Sequence, residues 1–143
     1  MNNGLNDLPE TTVDMDLFPK EEVYRDRDDL NLTVHIKHNW YSEDSEHGKL
    51  LLSSFMTTLS GSTSKIGVLL LSGSAVKMID PADSLHEDLL RLSRNALLTG
   101  ACIESMETYG IDPEGSSDIQ ITLYSASDLS FELINAEKLI TLE

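Results

Sequence analysis

Residues Lys65 to Leu71 read KIGVLLL, with apolar side chains on consecutive positions instead of alternate ones. A strand with one wet face alternates, so a run that is apolar on both faces predicts a strand covered from above and below, as in parallel sheets. Upstream, Leu32 to Lys37 (LTVHIK) alternates and carries the β-branched Thr33, Val34 and Ile36, which predicts another strand. Between the two, Glu43 to Leu59 sets Leu51, Leu52, Phe55, Met56 and Leu59 at spacings of three and four. That spacing makes one stripe of a helix, with Ser42 as N-cap and Gly61 at its close.

Downstream, Ser84 to Arg94 predicts a helix with Leu85, Leu89 and Leu92 on one face, and Ala96 to Cys102 (ALLTGAC) a third strand, weakened by Gly100. Ile103 to Tyr109 reads as a short helix, with Gly110 where a left-handed C-terminal residue usually sits. Ile119 to Tyr124 (IQITLY) is a fourth strand, Ser127 to Ala136 a helix, and Lys138 to Leu142 (KLITL) a fifth strand. Strands separated by helices imply right-handed crossovers and helices on both faces of the sheet. The expected fold class is therefore α/β, a three-layer α/β/α arrangement around a mainly parallel five-stranded sheet.

The chain has 143 residues, a length that fits one domain. Residues 1–30 differ from the rest, with nine acids against three bases, Pro9 and Pro19, and no sustained apolar period. Such a segment buries too little apolar surface to offset its ordering entropy, so it is expected to be an acidic, flexible or loosely docked arm before an α/β domain at 31–143. The longest apolar run, Val68 to Leu71, is far short of the ~20 residues of a membrane span, and no signal-like stretch is seen, so a cytoplasmic protein without a membrane partner is expected. A net charge of −15, from 10 Lys and Arg against 25 Asp and Glu, repels a phosphate backbone and argues against nucleic acid. A basic protein partner, or plain solubility, fits the sign.

In open parallel sheets, chemistry collects beyond the carboxyl ends of the strands. That rule selects His38, Asn39, Trp40 and Tyr41 after the first strand, Ser72, Gly73 and Ser74 after the second, Cys102 after the third, and Tyr124 and Ser125 after the fourth. Cys102 is the only cysteine. At a strand-to-helix corner its thiolate would gain from the helix N-terminus, while Glu104 and Glu107 oppose it. The other reading is a small buried hydrophobe. Other chemistries fall away: no second cysteine makes a redox pair, position 108 is Thr108 where a phosphatase loop needs arginine, and Gly61 to Lys65 (GSTSK) lacks the order of a phosphate loop. His35 and His38 point to opposite faces, His47 and His86 read as helix-surface residues, and no metal site is expected. No Gly-x-Ser-x-Gly elbow marks a serine nucleophile.

The order of elements, with an apolar strand entering Gly73-Ser-Ala-Val76, then a strand ending in Cys102 with Ser105 three later and Tyr109-Gly110-Ile111 closing, resembles the DsrE/DsrF-like sulfur-relay family with its TusD-like and YchN-like members. The resemblance covers residues 31–143. It implies a three-layer α/β/α fold, homo-oligomers or assembly with related subunits, and a cysteine that receives a persulfide sulfur from a donor protein and passes it to an acceptor, with no bound cofactor. Cys102 matches the sulfur-accepting position, and Gly73 to Val76 the loop bordering it. His38, Asn39, Ser72, Gly73, Ser74 and Ser105 are the residues expected to line the site. The rival expectation is a non-catalytic binding or assembly module of the same fold with a structural cysteine.

Overall fold

Three consecutive leucines, Leu69, Leu70 and Leu71, have no solvent exposure, which requires cover on both faces of the strand that carries them. The computed structural model describes residues 31–62, 65–114 and 118–143, and provides that cover. The chain runs β1 (Leu32–Ile36), α1 (Glu46–Ser60), β2 (Ile66–Leu71), a 3-10 segment (Gly73–Ile79), α2 (His86–Arg94), β3 (Ala96–Cys102), α3 (Ile103–Tyr109), β4 (Thr122–Tyr124), α4 (Ala126–Ile134) and β5 (Lys138–Leu142). The five strands form one parallel sheet in the order β4-β3-β2-β1-β5. This is the expected three-layer α/β/α class. No helix among the described residues is long and apolar enough to cross a membrane. The expected acidic arm at 1–30 lies outside the described residues, as do positions 63 and 64 of the Gly61–Lys65 turn.

Strand alternation divides the core in two. Val34, Ile36, Leu69, Leu71 and Ala101 face one side, where Leu52 and Met56 of α1, Val76 and Met78 of the 3-10 segment, Leu89 and Leu92 of α2 and Met106 of α3 close the main core. On the opposite face Leu70 and Cys102 pack with Leu129 of α4, bordered by the half-buried Val68, Tyr124 and Leu133. The helix from β4 to β5 must travel from one sheet edge to the other, so α4 is the element that crosses this second face.

Three local expectations are corrected. The N-cap of α1 is Ser45, not Ser42: Ser45 is extended and its hydroxyl accepts from the Gly48 N–H at 3.0 Å, whereas Ser42 has a left-handed φ of 73°. Gly48 is buried in that turn, and a Cβ there would meet the Glu43 carbonyl oxygen at 1.9 Å. His86 is not a helix-surface residue. It is 3 % exposed, and its Nδ1 is hydrogen-bonded at 2.9 Å to the carbonyl of Met78, because α2 begins against the end of the 3-10 segment. The fourth strand spans Thr122–Tyr124, shorter than Ile119 to Tyr124, because Ile119 turns into the main core and β3 pairs with β4 only over Gly100–Cys102.

Candidate functional site

The carboxyl ends of β1, β2 and β3 meet at one rim, held together by a set of hydrogen bonds between the loops that leave them. Ser72, one residue past β2, is hydrogen-bonded to His35 Nε2 at 2.8 Å. His35 is 7 % exposed and sits on the face opposite Val34 and Ile36. Burial and then the nearby Lys37 lower its pKa below 6.5, against a smaller opposing effect of Glu143, so the ring is neutral at pH 7.

Gly73 starts the 3-10 segment with a φ of 56°, and a Cβ there would stand 2.6 Å from the Lys37 carbonyl oxygen, so glycine meets two demands at once. Its N–H donates to Ser105 Oγ of α3 at 2.8 Å. Asn39, buried, donates its N–H to Ser74 Oγ at 3.1 Å and its side-chain amide to Asp83 at 3.4 Å. His38 stacks on Trp40, ring centroids 3.9 Å apart and planes nearly parallel. The imidazoles of His35 and His38 thus take different partners, and among the described residues no group of three His, Cys, Asp or Glu is arranged to hold a metal ion.

Cys102 ends β3. The β2–β3 register pairs Leu71 with Ala101, so Ser72 and Cys102 are the next positions on adjacent strands. The thiol is 6 % exposed, packed against Leu70 and Leu129. Its S–H donates to Glu104 Oε1 at 3.5 Å, and the same oxygen accepts the N–H of Ala126 at 3.0 Å. Chiefly its own backbone N–H lowers the pKa of the Glu104 carboxyl, against an opposing effect of desolvation, with smaller contributions from the Ala126 N–H and the Cys102 thiol. Glu107, read from the sequence as a second opposing charge, does not join this cluster.

The rim therefore joins Gly73 to Ser105 and Asn39 to Ser74, sets Ser72 level with Cys102 by the register of their strands, and leaves His38 to one side on Trp40. Sequence reasoning missed His35 as part of the rim. The available signal was its placement one pleat from Lys37 on the face opposite the apolar Val34 and Ile36. At the other end of the sheet, a cavity of about 290 Å³ opens beside the amino-terminal half of β3, lined by Ser93, Arg94, Ala96 to Thr99, Asp118, Gln120 and Thr122. It shares no residue with the cysteine rim.

The chain superimposes on the ychN protein from E. coli with a TM-score of 0.52 at 16% identity, over 78% of this chain and 97% of that one. The fold is that of YchN. Two further structures share it. A protein of unknown function, MTH1491 from Methanobacterium thermoautotrophicum, has a TM-score of 0.55 at 17% identity, over 77% of this chain and 96% of that one. A conserved protein of unknown function, BT1422 from Bacteroides thetaiotaomicron, has a TM-score of 0.53 at 18% identity, over 77% of this chain and 94% of that one. No family model matches the sequence, and no curated protein matches it. At these identities the likeness to the YchN fold carries the architecture alone.

Proposed function

We propose that this chain is a persulfide carrier in which Cys102 accepts a sulfur atom from a donor protein and passes it to an acceptor. The observation that carries the reading is the position of the sole cysteine at the carboxyl end of a central parallel strand, beside Ser72 and in contact with an exposed carboxylate. The reaction balances without a cofactor. The Cys102 sulfur attacks the outer sulfur of a donor persulfide, a new S–S bond forms as the donor's S–S bond breaks, and the donor leaves as a thiol carrying the proton that Cys102 gives up. Delivery repeats the exchange, with an acceptor thiol attacking the outer sulfur held on Cys102.

The partners in this reading are a sulfur donor and an acceptor protein, and the carrier itself works as a homo-oligomer or beside related subunits in the cytoplasm. The exposed apolar Phe131 and Ile134 on the outer side of α4 support assembly. Cyanolysis after incubation with a persulfide donor tests the carrier role. The folded chain is expected to hold about one labile sulfur per cysteine while Cys102→Ser holds none. Equal labile sulfur on both chains would refute it.

One observation favours a second reading. The thiol is 6 % exposed and packs between Leu70 and Leu129 as a small hydrophobe would, which suits a binding or assembly module with a structural cysteine. Indifference of the folded thiol to iodoacetamide, together with a marked loss of stability in Cys102→Ser, would decide for that reading.

A further inference from the structure

The shortness of β4 leaves a hollow in the sheet. β4 pairs with β3 only over Gly100–Cys102, and Ile119 turns into the main core, so among the described residues no strand is laddered against the Ala96 to Thr99 half of β3 on that side. The cavity of about 290 Å³ opens there. Small-ligand sites span roughly 300 to 1,000 Å³, so this one lies at the lower end and suits a single amino acid better than a nucleotide or a longer peptide.

Its walls hold polar groups that nothing in the chain uses. Arg94 ends α2 and Asp118 lies ahead of β4, and both border the cavity. The ion pairs among the described residues are Lys37–Glu143 and Arg91–Asp88, so the two opposite charges are paired neither with each other nor with another described group. Thr99 forms the inner wall. It is 5 % exposed, and its hydroxyl has no hydrogen-bond partner among the described residues. The side-chain atom that is sealed in the core without a partner is His86 Nε2, so the Thr99 oxygen is open to the cavity. A hydroxyl so placed gains from a polar ligand atom. Leu97, 69 % exposed, and Leu98 add an apolar wall.

We infer that this cavity binds a free α-amino acid with an apolar side chain. Its carboxylate lies on Arg94, its ammonium on Asp118, a polar atom on Thr99, and its side chain against Leu97 and Leu98. Asp118 and the net charge of −15 oppose a simple anion, and Arg94 opposes a simple cation. A zwitterion satisfies both charges and carries no net charge for the chain to repel. The site shares no residue with the rim around Cys102 and needs no sulfur chemistry, so it goes beyond the carrier reading.

The test is titration of the isotope-labelled full-length chain with L-leucine, followed by amide NMR shifts. The amides of Leu98, Thr99 and Gln120 are expected to move saturably. N-acetyl-L-leucine and L-leucinamide, each carrying one of the two charges, bind several-fold more weakly. Arg94→Gln and Asp118→Asn change exposed side chains and leave the core intact, and each weakens L-leucine several-fold. Asp118→Asn does not weaken N-acetyl-L-leucine, which has no ammonium to lose. Absence of a saturable shift at the three amides overturns the inference, as does N-acetyl-L-leucine binding as tightly as L-leucine, or Arg94→Gln without effect. Cys102→Ser binds L-leucine as the parent chain does, so a failure of the carrier reading and a failure here are told apart.

Discussion

Tyr124 lies across Gly100 so closely that a Cβ there would stand 2.5 Å from Cε1 of the ring and 3.1 Å from a methyl of Leu70. Read locally, Gly100 weakens a strand, but in the sheet it makes room for an aromatic side chain from the neighbouring strand, which no spacing within β3 reveals. Gly100→Ala is therefore expected to destabilise the protein by roughly 1 to 3 kcal/mol, seen as a lower urea midpoint with an unchanged slope. An unchanged midpoint would mean that Tyr124 moves aside at no cost.

His35 is a second residue whose role comes from a distant part of the chain. Its Ser72 partner was invisible in LTVHIK, whereas its face was legible from alternation. Because burial lowers its pKa from 6.5, the unfolded chain takes the proton first as the solution is acidified. The stability contribution is fully present above about pH 6.5 and is lost as pH falls through the folded value. Urea midpoints at about pH 7.5 and about pH 5.5 should therefore diverge in the parent chain and converge in His35→Gln. Equal divergence in both would remove His35 as the cause.

At the scale of elements, the sequence pattern located the α-helices and strand cores among the described residues but not the 3-10 segment Gly73–Ile79, and the last strand was legible to the residue. KLITL lies in register with Leu32–Ile36 over its whole length. Helix starts were less legible because two serines stand three apart before α1, and only the one with extended backbone accepts from Gly48. Ser45→Ala should cost about 1 kcal/mol, and Ser42→Ala much less. Thermal melts of the two variants check this, and equal losses would contradict the capping assignment. The shortened fourth strand has a similar origin. Alternation in IQITLY is satisfied by Ile119 entering the core, so the pattern holds over residues that the ladder does not reach.

At the scale of the whole molecule, and among the described residues, the two faces of the sheet are unequally covered. One carries three helices and the 3-10 segment around the main core, while the other carries α4, with Phe131 and Ile134 turned outward at 68% and 77% exposure. Composition made the acidic excess legible, and the alternation of strand and helix patterns the α/β class. Neither could show which face would hold the thiol, because that depends on how β3 pairs and where α4 crosses. Cys102 faces the α4 side beneath Leu129, whereas Gly73 and Ser105 belong to the 3-10 segment and to α3, which pack with the main core. Assembly through the α4 side predicts that Ile134→Glu lowers the mass measured by light scattering while leaving the melting profile intact. An unchanged mass would argue against it.

The central claim is that the sulfur of Cys102 exchanges, and intact-mass spectrometry of the folded chain during incubation with a persulfide donor tests it most directly. The account predicts a gain of about 32 Da, one sulfur atom, that maps to Cys102 and disappears when an acceptor thiol is added. A mass that stays constant while the fold remains intact would contradict it.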